Sequence, residues 1–243
     1  MLDISAVRAI SLDLDDTLWP VWPTIARAEL ALQGWLAPRA PAAAALVANS
    51  QARAALRQQV MDDRPDLHHD LSHQREALIR LALHQCGEDT AHASEAFEVF
   101  FAERNRVQFY DDALPALAQL AARYPVLALS NGNADVARVG VGHWFAGSVS
   151  ARDAGVAKPD GRIFAAAASR LGLAPAQVLH VGDDAALDVL GALGAGMQAV
   201  WVNRDGHTWS HEAQPHATVT HLGELCELLA VTTPTTPTTP AAP

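Results

Sequence analysis

Four short apolar runs, each stopped by polar or turn-forming residues, set the tightest limit on how this chain can fold. They cover residues 6–14, 126–129, 178–181 and 199–202. Runs this short and this uniformly apolar suit strands covered on both faces. Helical patterns follow at residues 135–141, 161–171 and 185–193. Strands alternating with helices predict an α/β fold, a Rossmann-like doubly wound parallel sheet.

Residues 22–106 break that alternation. They hold no convincing strand, only Ala-, Leu-, Gln- and Arg-rich helical pattern punctuated at Pro38, Pro41, Pro65 and Gly87. This predicts three or four helices inserted after the first strand. The expected division is a core from residues 1–21 and 107–230, a helical unit at 22–106, and a Thr/Pro tail at 231–243 that is disordered.

A net charge of -10 argues against nucleic acid or an anionic membrane as the main partner. The longest uncharged apolar stretch, residues 189–203, is too short to span a bilayer and is broken by glycines. Cys86 and Cys226 are isolated, with no disulfide framework, and the N-terminus shows no secretion signal. A cytoplasmic protein, monomer or homodimer, is expected.

Chemistry concentrates where the apolar runs end. The first runs into "ISLDLDDTLWP", which brings Asp13, Asp15 and Asp16 together. The second ends at Ser130 and Asn131, and the third at Gly182, Asp183 and Asp184. In a doubly wound sheet all of these lie at one edge, where ligands bind. Lys158, in "GVAKPDGRIF", is the available positive partner, and Pro159 suits the first position of the helix that follows. Carboxylates converging without histidine or cysteine describe a hard-cation site that favours Mg²⁺ over zinc. A carboxylate can also attack phosphorus, and a second one two residues on can handle the proton of the leaving oxygen. An anionic small substrate then needs the cation and the lysine to offset the acidic background.

The motifs Asp13-x-Asp15-x-Thr17, Ser130, Lys158-Pro159 and Gly182-Asp183-x-x-x-x-Asp188 resemble, in order, the four motifs of the haloacid dehalogenase-like superfamily. The helical insert resembles that superfamily's C1-type cap. More narrowly, "DLDDTLW", "SNGNA" and "LHVGDDAALDVLGALGAGMQAVWV" resemble bacterial phosphatases that hydrolyse FMN and a phosphorylated riboflavin precursor. The resemblance implies Asp13 as nucleophile, Asp15 as general acid/base, Ser130 on the phosphoryl oxygens and Lys158 as charge stabiliser. It implies a Mg²⁺ site from Asp13, Asp15 (through its backbone carbonyl), Asp183 and Asp188, with Asp188 orienting Lys158 or a metal-bound water. Thr17 and Asn131 are expected beside the substrate. Asp184 departs from the Ser common at its position and equally suits a helix N-cap.

Other residues carry a plainer reading beside the functional one. Trp19 and Trp22, where the chain leaves the core, suit hinge packing or an aromatic wall for a planar substrate. Arg75 and His69 could reach the substrate from the insert. His68, His73, His207, His211, His216 and His221 are read as surface or packing residues. The function expected is a Mg²⁺-dependent phosphatase for a small phosphorylated metabolite. The alternatives are a 2-haloacid dehalogenase, which needs neither metal nor an Asp at position 15, and a non-catalytic phospho-accepting or binding module.

Overall fold

The computed structural model describes residues 1–230, so the Thr/Pro tail lies outside the described residues. Strand β1 (Ala9–Leu12) is followed by five helices: α1 (Val21–Leu36), α2 (Pro41–Ala48), α3 (Ser50–Asp63), α4 (Leu71–Gln85) and α5 (His92–Arg104). Then come α6 (Ala113–Ala121), β2 (Val126–Ser130), a short α7 (Val136–Val139), β3 (Gly147–Ser150), α8 (Ala151–Ala154) and α9 (Gly161–Leu171). The chain closes with β4 (Val178–Gly182), a π-helical turn (Ala185–Leu190) running into α10 (Gly191–Gly194), β5 (Gln198–Val202), β6 (Ala217–Val219) and α11 (Leu222–Ala230).

Among the described residues six strands form one sheet in the order β3-β2-β1-β4-β5-β6, and every neighbouring pair is parallel. Strand order reverses between β1 and β4, so a crevice opens beyond their carboxyl ends. All residues of β1, β2, β4 and β5 are buried. Successive side chains alternate between two cores. On one face Val126 and Ala128 pack with Leu117 of α6 and Leu225 of α11. On the other, Leu127 and Leu129 pack with Ile163 and Phe164 of α9. The inserted helices have a third cluster of their own, including Leu32, Val47, Leu56, Ile79 and Phe100.

The sheet is the α/β architecture expected, with two strands added. β3 buries only Val149 and β6 only Val219, so neither produces a continuous apolar run. The insert has five helices where three or four were expected, because Asn49 caps a new helix and splits the stretch after Pro41 into α2 and α3. α7 is a single turn, shorter than the residue 135–141 pattern. Pro159 does not open α9. That helix starts at Gly161 behind the N-cap Asp160, whose carboxylate accepts from Arg162 N at 2.9 Å.

Candidate active site

Asp13 follows β1 directly, and its amide donates to the Val181 carbonyl at 2.9 Å, which ties it to the neighbouring strand. Asp183 follows β4 in the same way. The carboxylates of Asp13, Asp183 and Asp188 offer oxygens within 4.8 Å of one another, the one such metal-capable group among the described residues. Asp188 arrives there because the π turn rides directly over Gly182. A Cβ on Gly182 would lie 2.3 Å from Asp188 Cγ, so only glycine permits the approach.

Lys158 Nζ stands between the carboxylates, 2.5 Å from Asp13 Oδ1, 2.6 Å from Asp188 Oδ1 and 3.1 Å from the Leu129 carbonyl. Its backbone is fixed by Asn131, whose Oδ1 accepts from Lys158 N at 2.7 Å and whose Nδ2 donates to Lys158 O at 3.0 Å. Both ends of the Asn131 side chain bond the Lys158 backbone, so it braces the lysine.

Asp188 is held on several sides. His180 Nε2 lies 3.0 Å from Oδ1, the Asp184 amide donates to Oδ2 at 3.0 Å, and His180 Nδ1 in turn meets Ser11 Oγ at 2.8 Å. With both oxygens engaged, Asp188 is placed to orient Lys158, one of the two roles expected of it, while remaining a member of the metal-capable group. Ser11 and His180 are wholly buried inside the sheet, so this Ser-His-Asp sequence offers no nucleophile to a substrate. Asp184 takes the plain reading, its Oδ1 capping the π turn at Ala186 N and Leu187 N, both 2.8 Å.

The charges are under strain. Burial pushes Asp13 well above the usual carboxylate range. Lys158 pulls it back, but Asp188 and Asp183 push it further up. Burial and Asp188 likewise raise Asp183 to about 7. Burial opposes the charge of Asp188, but Lys158 and His180 outweigh it and hold that carboxyl below its ordinary value. One lysine is too little cation for two buried carboxylates and a half-buried third. A hard oxygen-preferring cation between Asp13 and Asp183 fits the donor set.

The three aspartates of the opening motif have separate uses. Asp15 lies outside the metal-capable group, and its Oδ1 accepts from Trp19 Nε1 at 2.8 Å. Arg104 Nη2 donates to Asp15 Oδ1 at 2.8 Å and Oδ2 at 2.6 Å. Asp16 adopts a positive φ of 58°, which Asp tolerates better than most residues, and its Oδ1 accepts from Val21 N at 2.9 Å to start α1. Thr17 Oγ1 donates to Asp183 Oδ1 at 2.9 Å, so its hydroxyl orients a carboxylate.

A cleft of about 390 Å³ reaches this edge between core and insert. Ser130, Gly132 and Asn133 form one wall, and His69, Ser72 and Phe101 come from the insert. Ser130 Oγ accepts from Gly132 N at 2.9 Å. The tryptophans are elsewhere. Trp19 is wholly buried, edge-on to Phe109 at 5.4 Å, which corrects the idea that it forms a substrate wall. Trp22 is 74% exposed and lines a separate cleft of about 560 Å³ with Arg53, Arg57 and Arg75. Arg75 is buried in an ion pair, Nη1 to Glu29 Oε1 at 2.7 Å, with its guanidinium 4.3 Å over Phe100. Arg104 and His180 were not foreseen. A histidine inside a fully buried strand is the one sequence cue that could have flagged the latter.

Residues 7–196 match the family described as haloacid dehalogenase-like hydrolase. The chain belongs to that family and is a hydrolase of the haloacid dehalogenase-like class. It is 31% identical, over 93% of this chain and 98% of the relative, to 5-amino-6-(5-phospho-D-ribitylamino)uracil phosphatase YigB of Escherichia coli (strain K12). It is 38% identical to the phosphoserine phosphatase of Thermus thermophilus, over 62% of this chain and 63% of that one. Among solved structures, 2-haloacid dehalogenase from Pseudomonas syringae pv. Tomato DC3000 superposes with a TM-score of 0.87 at 36% identity, covering 93% of this chain and 99% of that one. No helix among the described residues is long and apolar enough to cross a membrane.

Proposed function

We propose that the chain is a Mg²⁺-dependent phosphatase acting on small phosphorylated metabolites, with α1–α5 serving as a cap over the sheet edge. The observation that carries this reading is the convergence of Asp13, Asp183 and Lys158 beyond β1 and β4, with Asp15 two residues from the nucleophile. Lys158 occupies Asp13 Oδ1, and Oδ2 accepts no hydrogen bond among the described residues, so it is the oxygen available to attack phosphorus. The new Asp13–phosphorus bond forms as the ester oxygen departs, and Asp15 gives that oxygen its proton. Asp15 then takes a proton from water. The water oxygen displaces the Asp13 carboxylate from phosphorus and releases inorganic phosphate.

Asp13 and Asp183, together with the Asp15 backbone carbonyl that the family resemblance implies, would hold Mg²⁺. When bound, the cation supplies the positive charge that lets Asp13 stay ionised and offsets the charge of the phosphoryl oxygens. Ser130 contributes a donor to the same oxygens, and Lys158, whose three donors are taken by Asp13, Asp188 and the Leu129 carbonyl, contributes its charge. Asp188 and His180 keep Lys158 in place.

The likeness to the E. coli 5-amino-6-(5-phospho-D-ribitylamino)uracil phosphatase, over nearly the full length of both chains, supports that compound as a candidate substrate, and the motif resemblance adds FMN. The cleft at Ser130 is polar along its core side, which suits a hydroxylated ribityl chain, and Phe101, stacked on Phe97 with the Arg138 guanidinium 4.7 Å from its ring centroid, is the aromatic residue on its insert side.

The solved dehalogenase at a TM-score of 0.87 favours a second reading, 2-haloacid dehalogenase activity with the same Asp13 nucleophile. That chemistry gives no task to Asp15 or to the Asp13–Asp183 cation site. Purified protein is to be assayed on FMN, the ribitylaminouracil phosphate, a sugar-phosphate panel and 2-chloropropionate, with Mg²⁺ and with excess chelator. Phosphate release that requires Mg²⁺ is expected. Chloride release that survives chelation, without phosphatase activity, would replace this reading with the second. Cleavage of sugar phosphates alone would retain the phosphatase and remove the flavin substrates.

A further inference from the structure

Arg104 is the last residue of α5, the final helix of the insert, and is 1% exposed. Its Nη2 bonds both oxygens of Asp15, a residue 89 positions earlier at the sheet edge. Trp19 Nε1 holds Oδ1 from another side. Gly132 closes a third side, since a Cβ there would lie 2.3 Å from Asp15 Oδ2, 3.2 Å from Arg104 Nη2 and 3.2 Å from Ser130 Oγ. The carboxylate is therefore clamped with Oδ2 facing the Ser130–Gly132 turn, which lines the substrate-sized cleft.

Stability alone does not account for this arrangement. A buried ion pair gives little net stabilisation over a well-packed apolar pair. Arg104 also carries a cost that a two-pronged pairing would avoid, because its Nη1 is buried with no hydrogen-bond partner. An orphaned buried donor costs about 1–3 kcal/mol. The guanidinium is placed for the sake of Asp15 rather than for the satisfaction of its own donors.

We infer that Arg104 is a positioning residue for Asp15, holding its carboxylate at the reacting edge of the cleft and making that placement depend on the seat of α5 against the sheet. This rests on the phosphatase reading, in which Asp15 serves the leaving-group oxygen. It adds a contribution from the inserted helices to a step otherwise confined to the sheet edge.

The test uses two aryl phosphates that differ in how much help the leaving group needs: phenyl phosphate, a poor leaving group, and p-nitrophenyl phosphate, a good one. In Arg104→Ala, kcat/KM for phenyl phosphate should fall at least about tenfold further than for p-nitrophenyl phosphate, within the range that acid–base assistance supplies. Free guanidinium ion should restore part of the phenyl phosphate activity. In an Asp15→Asn background the same substitution should cost less than about twofold, because both changes disable one unit. Equal losses on the two substrates, or an undiminished loss beside Asp15→Asn, would overturn the role. If Arg104→Ala does not fold, Arg104→Lys and Trp19→Phe carry the same comparison, and equal losses there overturn it as well. Wild-type protein that cleaves neither aryl phosphate would instead bring down the phosphatase reading, and this role with it.

Discussion

Lys158 Nζ lies 2.6 Å from Asp188 Oδ1, with both side chains almost fully buried, and the same ammonium reaches Asp13 at 2.5 Å. Burial works against the lysine's charge, but the two carboxylates outweigh it and hold its pKa above the ordinary value. The lysine is therefore a structural cation as well as a candidate catalytic one. Lys158→Met should leave two buried carboxylates facing each other and cost about 3–5 kcal/mol of stability. The urea midpoint of metal-free protein measures this, and an unchanged midpoint would contradict it.

Asp13→Asn separates catalysis from stability. The nucleophile is lost, so turnover should drop by at least about a thousandfold, as expected when the attacking group of an enzyme is removed. The fold should be as stable as wild type or more so without metal, because burial already disfavours the ionised Asp13. Phosphatase assays and thermal melts on one preparation test both halves. Near-normal turnover would move the nucleophile elsewhere.

Asp183 gives a pH dependence with a definite sign. Its folded-state pKa of about 7 lies above the ordinary 3.8, so between those values the folded chain keeps a proton that the unfolded chain has released. Its contribution to stability therefore falls as pH rises through that window, by at most about 4 kcal/mol. His180 acts in the opposite sense: burial holds its pKa below 6.5, so stability rises as pH approaches that value. Comparing wild type with Asp183→Asn cancels the histidine. Without metal the variant should be the more stable above about pH 7 and lose its advantage toward about pH 4. Mg²⁺ should raise the melting temperature of wild type at neutral pH and do so far less for the variant. Equal Mg²⁺ shifts in both would remove Asp183 from the cation site.

Phe101 and Trp22 divide the aromatic candidates. Phe101 lines the cleft at Ser130, whereas Trp22 lines the separate cleft beside Arg53 and Arg57. Binding energy from a remote ring can be used to orient the reacting phosphate. Phe101→Ala should therefore lower kcat/KM for FMN more than for p-nitrophenyl phosphate, and Trp22→Ala should affect the two alike. The reverse pattern would shift ring recognition to the α1 face.

The central strands and the strand-end residues were legible because burial on both faces leaves an unbroken apolar run, and the residue after it must be polar. That logic located Asp13, Ser130 and Asp183. It failed for β3 and β6, which are short and half-covered. It also failed for the helix count in the insert, where Asn49 alone separates α2 from α3 by capping Gln51 N and Ala52 N, each at 3.0 Å. Arg104 was illegible for a different reason. Its partner lies 89 residues away, and nothing local marks one arginine of an amphipathic helix as buried. The sequence left Trp19 and Trp22 open between packing and an aromatic wall, because proximity to Asp15 in sequence does not say which way a ring turns; Trp19 packs.

The chain departs for the five inserted helices just after Leu18 and is back at Tyr110, whose amide donates to the Leu18 carbonyl at 3.0 Å. The excursion thus begins and ends at one pinned doorway. Closing a flexible loop costs only about 0.6 kcal/mol more for each doubling of its length. Exchanging the excursion for a longer or shorter one would therefore tax the sheet very little, provided the newcomer folds on its own apolar cluster. Such a construction leaves the reacting groups free to stay constant while descendants of one ancestral chain try new coverings, and new substrates, above them.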